Sequence, residues 1–275
     1  MSNSYKERAT QARKTVLKMI YEAGTSHIAS NFSVIDIATV LYDNLKDGDD
    51  VVWSKGWASA SIYYFLAQQG KIPKDDLDKF GKEIDGQIPY LGLAETTVPG
   101  VWCNGGSVGH GLPIAVGMAL GKKLKGEDGK TYCILSDGEL NEGSVWEAMM
   151  FASHHQLDNL VAIVDKNGWQ AMGRTEDVVD IANLNRVLNG FNWESIYIDG
   201  HNYEQIDWAL KPEGMRLDRT EYPIRNAPYL GWKSPTMIIA KTIKGKGVSA
   251  FEDHLLFHYK HVEKSDYEKA LAELS

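Results

Sequence analysis

The sequence predicts an α/β fold, a doubly wound, mostly parallel sheet with helices on both faces. Three observations carry that expectation. Short apolar runs alternate with segments of helical spacing along the whole chain. The runs 131–135 and 160–164 read as buried strands on either side of a helix over 142–155, whose apolar face holds Val145, Trp146, Met149, Met150 and Ala152. Strand, helix, strand is a right-handed crossover, which puts both strand ends on one edge of a parallel sheet. Each of these strands then ends in an oxygen-bearing side chain beside a glycine: Asp137-Gly138 and Asn167-Gly168.

The other elements follow in order. Residues 5–23 repeat Ala9, Ala12, Val16, Met19 and Ile20 at helical spacing. A second helix is expected over 33–45, with Ser33 as its N-cap and Asp36 in its first turn. Residues 50–54 read as a short strand running into a loop, 58–69 as a helix and 73–80 as a short polar helix. Residues 81–104 hold Gly and Pro without a period and read as loop. The segment Gly105-Gly106-Ser107-Val108-Gly109-His110-Gly111 opens an apolar helix over 112–124, in which Ala115, Gly117, Ala119 and Gly121 imply close packing. Beyond Asn167 come a helix over 177–188, a strand over 193–199, a helix over 203–210 and a buried strand over 236–242. Between the last two, 211–234 scatters Arg, Pro, Gly and aromatics and reads as an irregular insertion. An amphipathic helix over 265–275 follows.

Composition narrows the function. The net charge of −8, with no basic stripe, argues against nucleic acid as a partner. It leaves a phosphorylated ligand open, because a cation and backbone amides supply local positive potential. Cys103 and Cys133 make no disulfide framework. No apolar run reaches membrane-spanning length, and residues 1–14 are polar, unlike a secretory signal. A cytoplasmic location is expected.

The two strand ends carry the chemistry. Asp137 and Asn167 lie 30 residues apart and converge where open α/β sheets bind ligands. A carboxylate with an amide oxygen suits a hard cation, and magnesium held by one or two protein groups takes its other ligands from phosphate and water. Gly138 lets a diphosphate come close to the backbone. Alone, the two pairs also read as ordinary turns. A nicotinamide site is discounted, because Gly109-His110-Gly111 follows a loop and not a strand.

Acid, glycine, about thirty residues and asparagine resembles the thiamine diphosphate motif, with Ser136 where that motif usually begins with Gly. Other segments extend the likeness: Gly24-Thr25-Ser26-His27, Ser54-Lys55-Gly56, the glycine-rich run 105–111, Ser136 to Gly143, Asp165-Lys166-Asn167, Asp199-Gly200-His201, Lys241 to Val248, and Phe257-His258-Tyr259-Lys260. With these, residues 5–261 are similar to the N-terminal, diphosphate-binding half of transketolase, which some microbes make as a separate polypeptide. The resemblance implies one diphosphate-binding domain over 1–275 with the thiamine diphosphate-binding fold. It implies thiamine diphosphate and Mg2+, with Ca2+ as a substitute, and ketol transfer between sugars. Asp137, Asn167 and the carbonyl of Trp169 would hold the metal. Gly106, Ser107, Val108, Gly138 and Glu139, with Asp137 and Asn167, would line the cofactor. His27 and His258 would face the reacting centre or the diphosphate, and Glu142 would join a carboxylate network between paired active sites. His201 reads as structural.

Two departures bear on substrate. The family segment Ser-Lys-Gly-His is Ser54-Lys55-Gly56-Trp57 here, and Gly-His-Pro is Gly92-Leu93-Ala94. Apolar side chains thus replace two groups that contact sugar hydroxyls, which implies a modified or activated sugar in place of the usual pentose phosphates. The family's pyrimidine-binding domain has no counterpart in these residues. The expectation is a partner subunit that carries it, in a two-plus-two heterotetramer. Two other readings stay open: a 2-oxo-acid dehydrogenase E1 alpha-like subunit, and a non-catalytic cofactor-binding or regulatory subunit.

Overall fold

Five strands build one sheet in a computed structural model that describes residues 2–106, 108–181, 183–211 and 233–275. They are β1 (Asp50–Trp53), β2 (Thr131–Ser136), β3 (Leu160–Lys166), β4 (Glu194–Asp199) and β5 (Thr236–Lys241), in the order β1-β2-β3-β5-β4. Every neighbouring pair is parallel. Register aligns the functional ends: Ser136 stands opposite Asp165, and Lys166 opposite Lys241.

The runs that look continuously apolar in sequence still alternate, because successive side chains leave a strand on opposite faces. Trp53, Tyr132, Ile134, Val161 and Ile163 point into one core cluster. Val52, Cys133, Leu135, Ala162 and Val164 point into the other. Burial on both faces is what a parallel sheet between helical layers requires. The first layer holds α1 (Ser2–Ala23), α2 (Ile28–Asn44), α3 (Ser59–Gln68), α8 (Tyr203–Leu210) and α9 (Lys264–Glu273). The second holds α4 (Gly111–Lys125), α5 (Gly143–His154) and α7 (Leu184–Gly190). The short α6 (Thr175–Val179) has no buried residue. Helix α2 is the centre of the first layer, buried from Ile28 to Tyr42. Each of Phe32, Ile35, Ile37 and Leu41 contributes roughly 1.5–3 kcal/mol by leaving water.

Three expectations need correction. The second helix starts at Ile28, five residues before Ser33. Ser33 is not a cap: its hydroxyl donates to Asp165 Oδ2 at 2.6 Å from inside the helix. The segment 73–80 forms a 3-10 helix over Lys74–Lys79. The helix expected over 177–188 is broken into α6 and α7, with Asp180 extended and Asn183 left-handed at φ 58°. Asp and Asn compete locally with helical backbone bonding, and Asn tolerates the left-handed region. The insertion expected over 211–234 lies outside the described residues from 212 to 232. Among the described residues, no helix is long and apolar enough to cross a membrane.

The loop after β1 crosses the glycine-rich segment backbone to backbone. A Cβ on Gly56 would lie 2.4 Å from Gly105 Cα. The Gly56 N–H donates to Gly106 O at 3.2 Å, and Lys55 pairs with Gly106 as an isolated parallel bridge. Gly56→Ala is therefore expected to destabilise the protein by about 1–3 kcal/mol, the usual cost of overpacking. Urea unfolding measures it, and a midpoint equal to wild type would mean that the crossing opens freely.

Candidate active site

The carboxyl ends of β1, β2, β3 and β5 deliver Lys55, Asp137, Asn167 and Lys244 to one edge of the sheet. His27 enters from the residue before α2, and His258 from a 3-10 turn over Leu255–His258. At the base lies Asp165, with no exposure to solvent. It accepts from Lys55 Nζ, from Ser33 Oγ at 2.6 Å and from Thr242 Oγ1. Burial alone would raise its pKa, but Lys55 and these hydroxyls hold it below the usual carboxylate range. Lys55 also donates to Ser33 Oγ at 3.0 Å.

Asp137 lies beside this pair and is only 2% exposed. Its Oδ2 accepts from the Gly168 N–H at 2.7 Å and Thr175 Oγ1 at 3.1 Å, and its Oδ1 from the Gly138 N–H at 3.0 Å. Lys55 pairs with Asp165 and not with Asp137. Burial, and then Asp165, push the Asp137 carboxyl up to about 6. Asn167 is buried, and its Oδ1 accepts from the Trp169 N–H at 3.1 Å. The Trp169 indole donates to Asp253 at 2.6 Å, and Arg174 stacks over it at 4.0 Å while pairing with the same carboxylate.

The opposite wall is cationic and aromatic. Lys244, 1% exposed, is joined to His258 Nδ1 at 2.7 Å. Burial, then Lys55, lower Lys244 to about 8. His27 stacks on Trp57 with ring centres 4.3 Å apart and meets the edge of His258 at 4.8 Å. Burial, then Lys244, lower His27 to about 4 and His258 to about 3.

Residues 4–270 match the family profile described as transketolase, thiamine diphosphate binding domain. The chain belongs to the transketolase family. One relative is the first of the named subunits of the apulose-4-phosphate transketolase of Phocaeicola vulgatus. It is 34% identical over 276 residues, covering 96% of this chain and 91% of that protein. A second is the 6-deoxy-6-sulfo-D-fructose transketolase subunit SqwG of a Clostridium species, 30% identical and covering 97% and 94%. Among solved structures, transketolase from Campylobacter jejuni superposes with a TM-score of 0.86 at 28% identity. That match covers 98% of this chain and 42% of the longer one.

The transketolase site expected from sequence separates into two groups. Asp137, Gly138, Asn167, His27 and His258 gather at the sheet edge with Lys55, Asp165 and Lys244, which sequence reasoning did not single out. Their signal was an apolar run closing on Asp165 and two lysines inside the family segments. The remaining residues lie elsewhere or act differently. Glu139 is wholly buried; its carboxylate accepts from Ser54 Oγ, the Gly109 N–H and both Ser136 donors, so it ties the glycine-rich segment to β1 and β2. Burial pushes it up to about 7. Gly106 is buried against Lys55, while Val108 is 43% exposed and Glu142 lies at the start of α5, only partly buried. Ser107 lies outside the described residues.

The donor set fits thiamine diphosphate with a hard cation. Asp137 is a buried carboxylate whose own lysine neighbour is committed to Asp165, and Asn167 adds an amide oxygen. Such a pair gains from a cation that also binds phosphate.

The histidines generate a pH prediction. Their folded values lie below the ordinary 6.5, so the unfolded chain binds more protons between those values. The stability they contribute is present above about 6.5 and is lost as pH falls toward the folded values. The difference in unfolding free energy between wild type and His258→Gln should therefore shrink from about pH 7.5 to about pH 5. Urea titrations at both values test this; a constant difference would contradict a neutral, buried His258.

Proposed function

We propose that this chain is the diphosphate-binding subunit of a split transketolase-like enzyme that moves a two-carbon ketol unit between sugars. The observation that carries this reading is the meeting of Asp137 and Asn167 with the Lys55–Asp165 pair and the Lys244–His258 pair at one sheet edge. Asp137, Asn167 and the Trp169 carbonyl would hold Mg2+. Thiamine diphosphate, when bound, supplies the electron sink for breaking and forming the carbon–carbon bond.

The chain's own part is orientation and proton handling. With Lys244 lowered only to about 8, its ammonium donates to His258 Nδ1 near neutral pH, which leaves the ring proton on Nε2. His258 can then donate to a substrate oxygen. His27 Nδ1 is engaged by Ser26 Oγ at 2.7 Å, so Nε2 is the atom offered to a hydroxyl. Both rings are neutral near pH 7, as exchange with sugar hydroxyls needs.

A partner carrying the pyrimidine-binding domain would complete the site in a two-plus-two assembly. Relatives named as transketolase subunits match this chain over nine-tenths of their length or more, whereas it spans 42% of a single-chain transketolase. Trp102, Val108 and Ile114 form an exposed apolar patch around the glycine-rich segment, suited to such a partner. Isothermal calorimetry on the mixture should show Mg2+-dependent thiamine diphosphate binding that Asp137→Ala abolishes. The mixture should transfer ketol units while this chain alone turns over nothing. Undiminished binding to the variant would remove the metal assignment, and turnover by this chain alone would remove the partner.

The substrate follows from Trp57. Its indole lies flat on His27, where the family pattern has a second histidine. A sugar lying there loses a hydrogen-bond partner and gains an apolar wall, which favours a modified sugar over xylulose 5-phosphate. The relatives named for apulose 4-phosphate and for a sulfo-deoxy sugar agree with that preference. Trp57→His is expected to raise kcat/KM for xylulose 5-phosphate by about tenfold or more, the scale of a regained hydrogen bond to a buried group. Steady-state kinetics decide; no gain would clear Trp57 of a role in specificity.

A further inference from the structure

We infer that Arg13, Asp36 and His201 form a buried clamp that positions the loop carrying Lys244. The inference rests on the function proposed above for its purpose, but its geometry is independent of it. Asp36 lies inside α2 and is 3% exposed. Its carboxylate accepts four bonds: Arg13 Nη1 at 2.9 Å, Arg13 Nη2 at 2.7 Å, His201 Nδ1 at 2.7 Å and the Tyr203 hydroxyl at 2.9 Å. Burial opposes the charge, yet Arg13 and His201 hold Asp36 well below the usual carboxylate range. A buried carboxylate with four donors has no freedom left to rotate.

The clamp has two outputs, and both reach the same loop. The Ile243 N–H donates to His201 Nε2 at 2.8 Å. A backbone N–H can only donate, so Nε2 is the acceptor and the ring proton sits on Nδ1, facing Asp36. Asp36 thus fixes both the tautomer and the plane of His201. On the other side, Arg13 Nε donates to Lys246 O at 2.7 Å. Between these two points the Gly245 N–H donates to Ala29 O at 2.9 Å. Residues 243 to 246 are therefore held at three successive points, and Lys244 projects from the middle. Its stem is buried, and its amine meets His258 Nδ1 at 2.7 Å. Lys55, Asp137 and Asp165 also face that amine, and Lys244, His27 and Lys55 face His258. A lysine with several rotatable bonds keeps one position only if its backbone is fixed. Arg13 and His201 are positioning residues, acting on the site through Ile243 and Lys246.

Two substitutions at one position separate this role from general support. His201→Asn keeps a donor toward Asp36 but has no atom at the Nε2 position. His201→Gln places an oxygen there to accept from Ile243. The readout is acetylation of Lys244 by a small amine-reactive reagent, followed by peptide mass spectrometry on the folded chain. Lys122, buried against Asp50 on the other side of the sheet, is the internal control. His201→Asn should raise Lys244 labelling about five- to tenfold, the change that losing one hydrogen bond makes in a local opening equilibrium. Lys122 should not change, and His201→Gln should stay within about twofold of wild type. Equal protection in Asn and Gln variants, or a parallel rise at Lys122, would overturn the clamp. If His201→Asn does not fold, Arg13→Lys reads the second output: it keeps a cation on Asp36 and loses the geometry of the Nε bond. Wild-type protection in that variant would equally overturn the proposal. Labelling needs no cofactor, partner or substrate, so a failure of the clamp is distinguishable from a failure of the proposed reaction.

Discussion

Asp165 is the group on which the site depends. It is a charge without access to water, and it is stable only because α2, the loop after β1 and the loop after β5 each send it a donor. Those donors, Ser33, Lys55 and Thr242, come from segments far apart in sequence. Burying an ion pair gives little net stability by itself, but removing one partner leaves an uncompensated charge, typically at about 3–5 kcal/mol. The network therefore works as a selection rule. An arrangement of these loops that fails to deliver all three donors is penalised, and the arrangement that succeeds is the one that brings Asp137 and Lys244 to the same edge.

Much of this was legible in the sequence. The strand runs, the crossover between β2 and β3, and the Asp137–Asn167 spacing depend on local period and on a rule of handedness. The start of α2 was not legible, because Ile28 to Phe32 is buried on all sides and carries no amphipathic signal, while Ser33 imitates a cap. The break between α6 and α7 was hidden for a related reason: the apolar period continues across Asp180 and Asn183, and only their backbone angles interrupt it. Lys55, Asp165 and Lys244 were visible as residues, but their partnership was not. It needs strand order, and the order β3-β5-β4 inverts the chain order of the last two strands.

Charge is distributed unevenly around the site. Two carboxylates and two lysines occupy its floor, and two neutral imidazoles and an indole occupy the wall. Burial, reinforced by the lysines, holds the imidazoles neutral. A floor of charged groups under an uncharged wall engages the charged end of a ligand and leaves the other end to be read by shape and hydroxyl pattern. The His27–Trp57 stack is the part of that wall where the pattern departs from the family segment.

The contact of Gly56 with Gly105 has a mechanical meaning. Two backbones that touch without side chains have no rotamers to absorb displacement, and here they are further joined by the Lys55–Gly106 bridge. The glycine-rich segment, though irregular, thus behaves as an extra rung of the sheet. Pressure on the apolar surface at Trp102 and Val108 would not be dissipated in a soft loop. It would be passed through a rigid lever to the backbone of Lys55, and so to the charge at the base of the site.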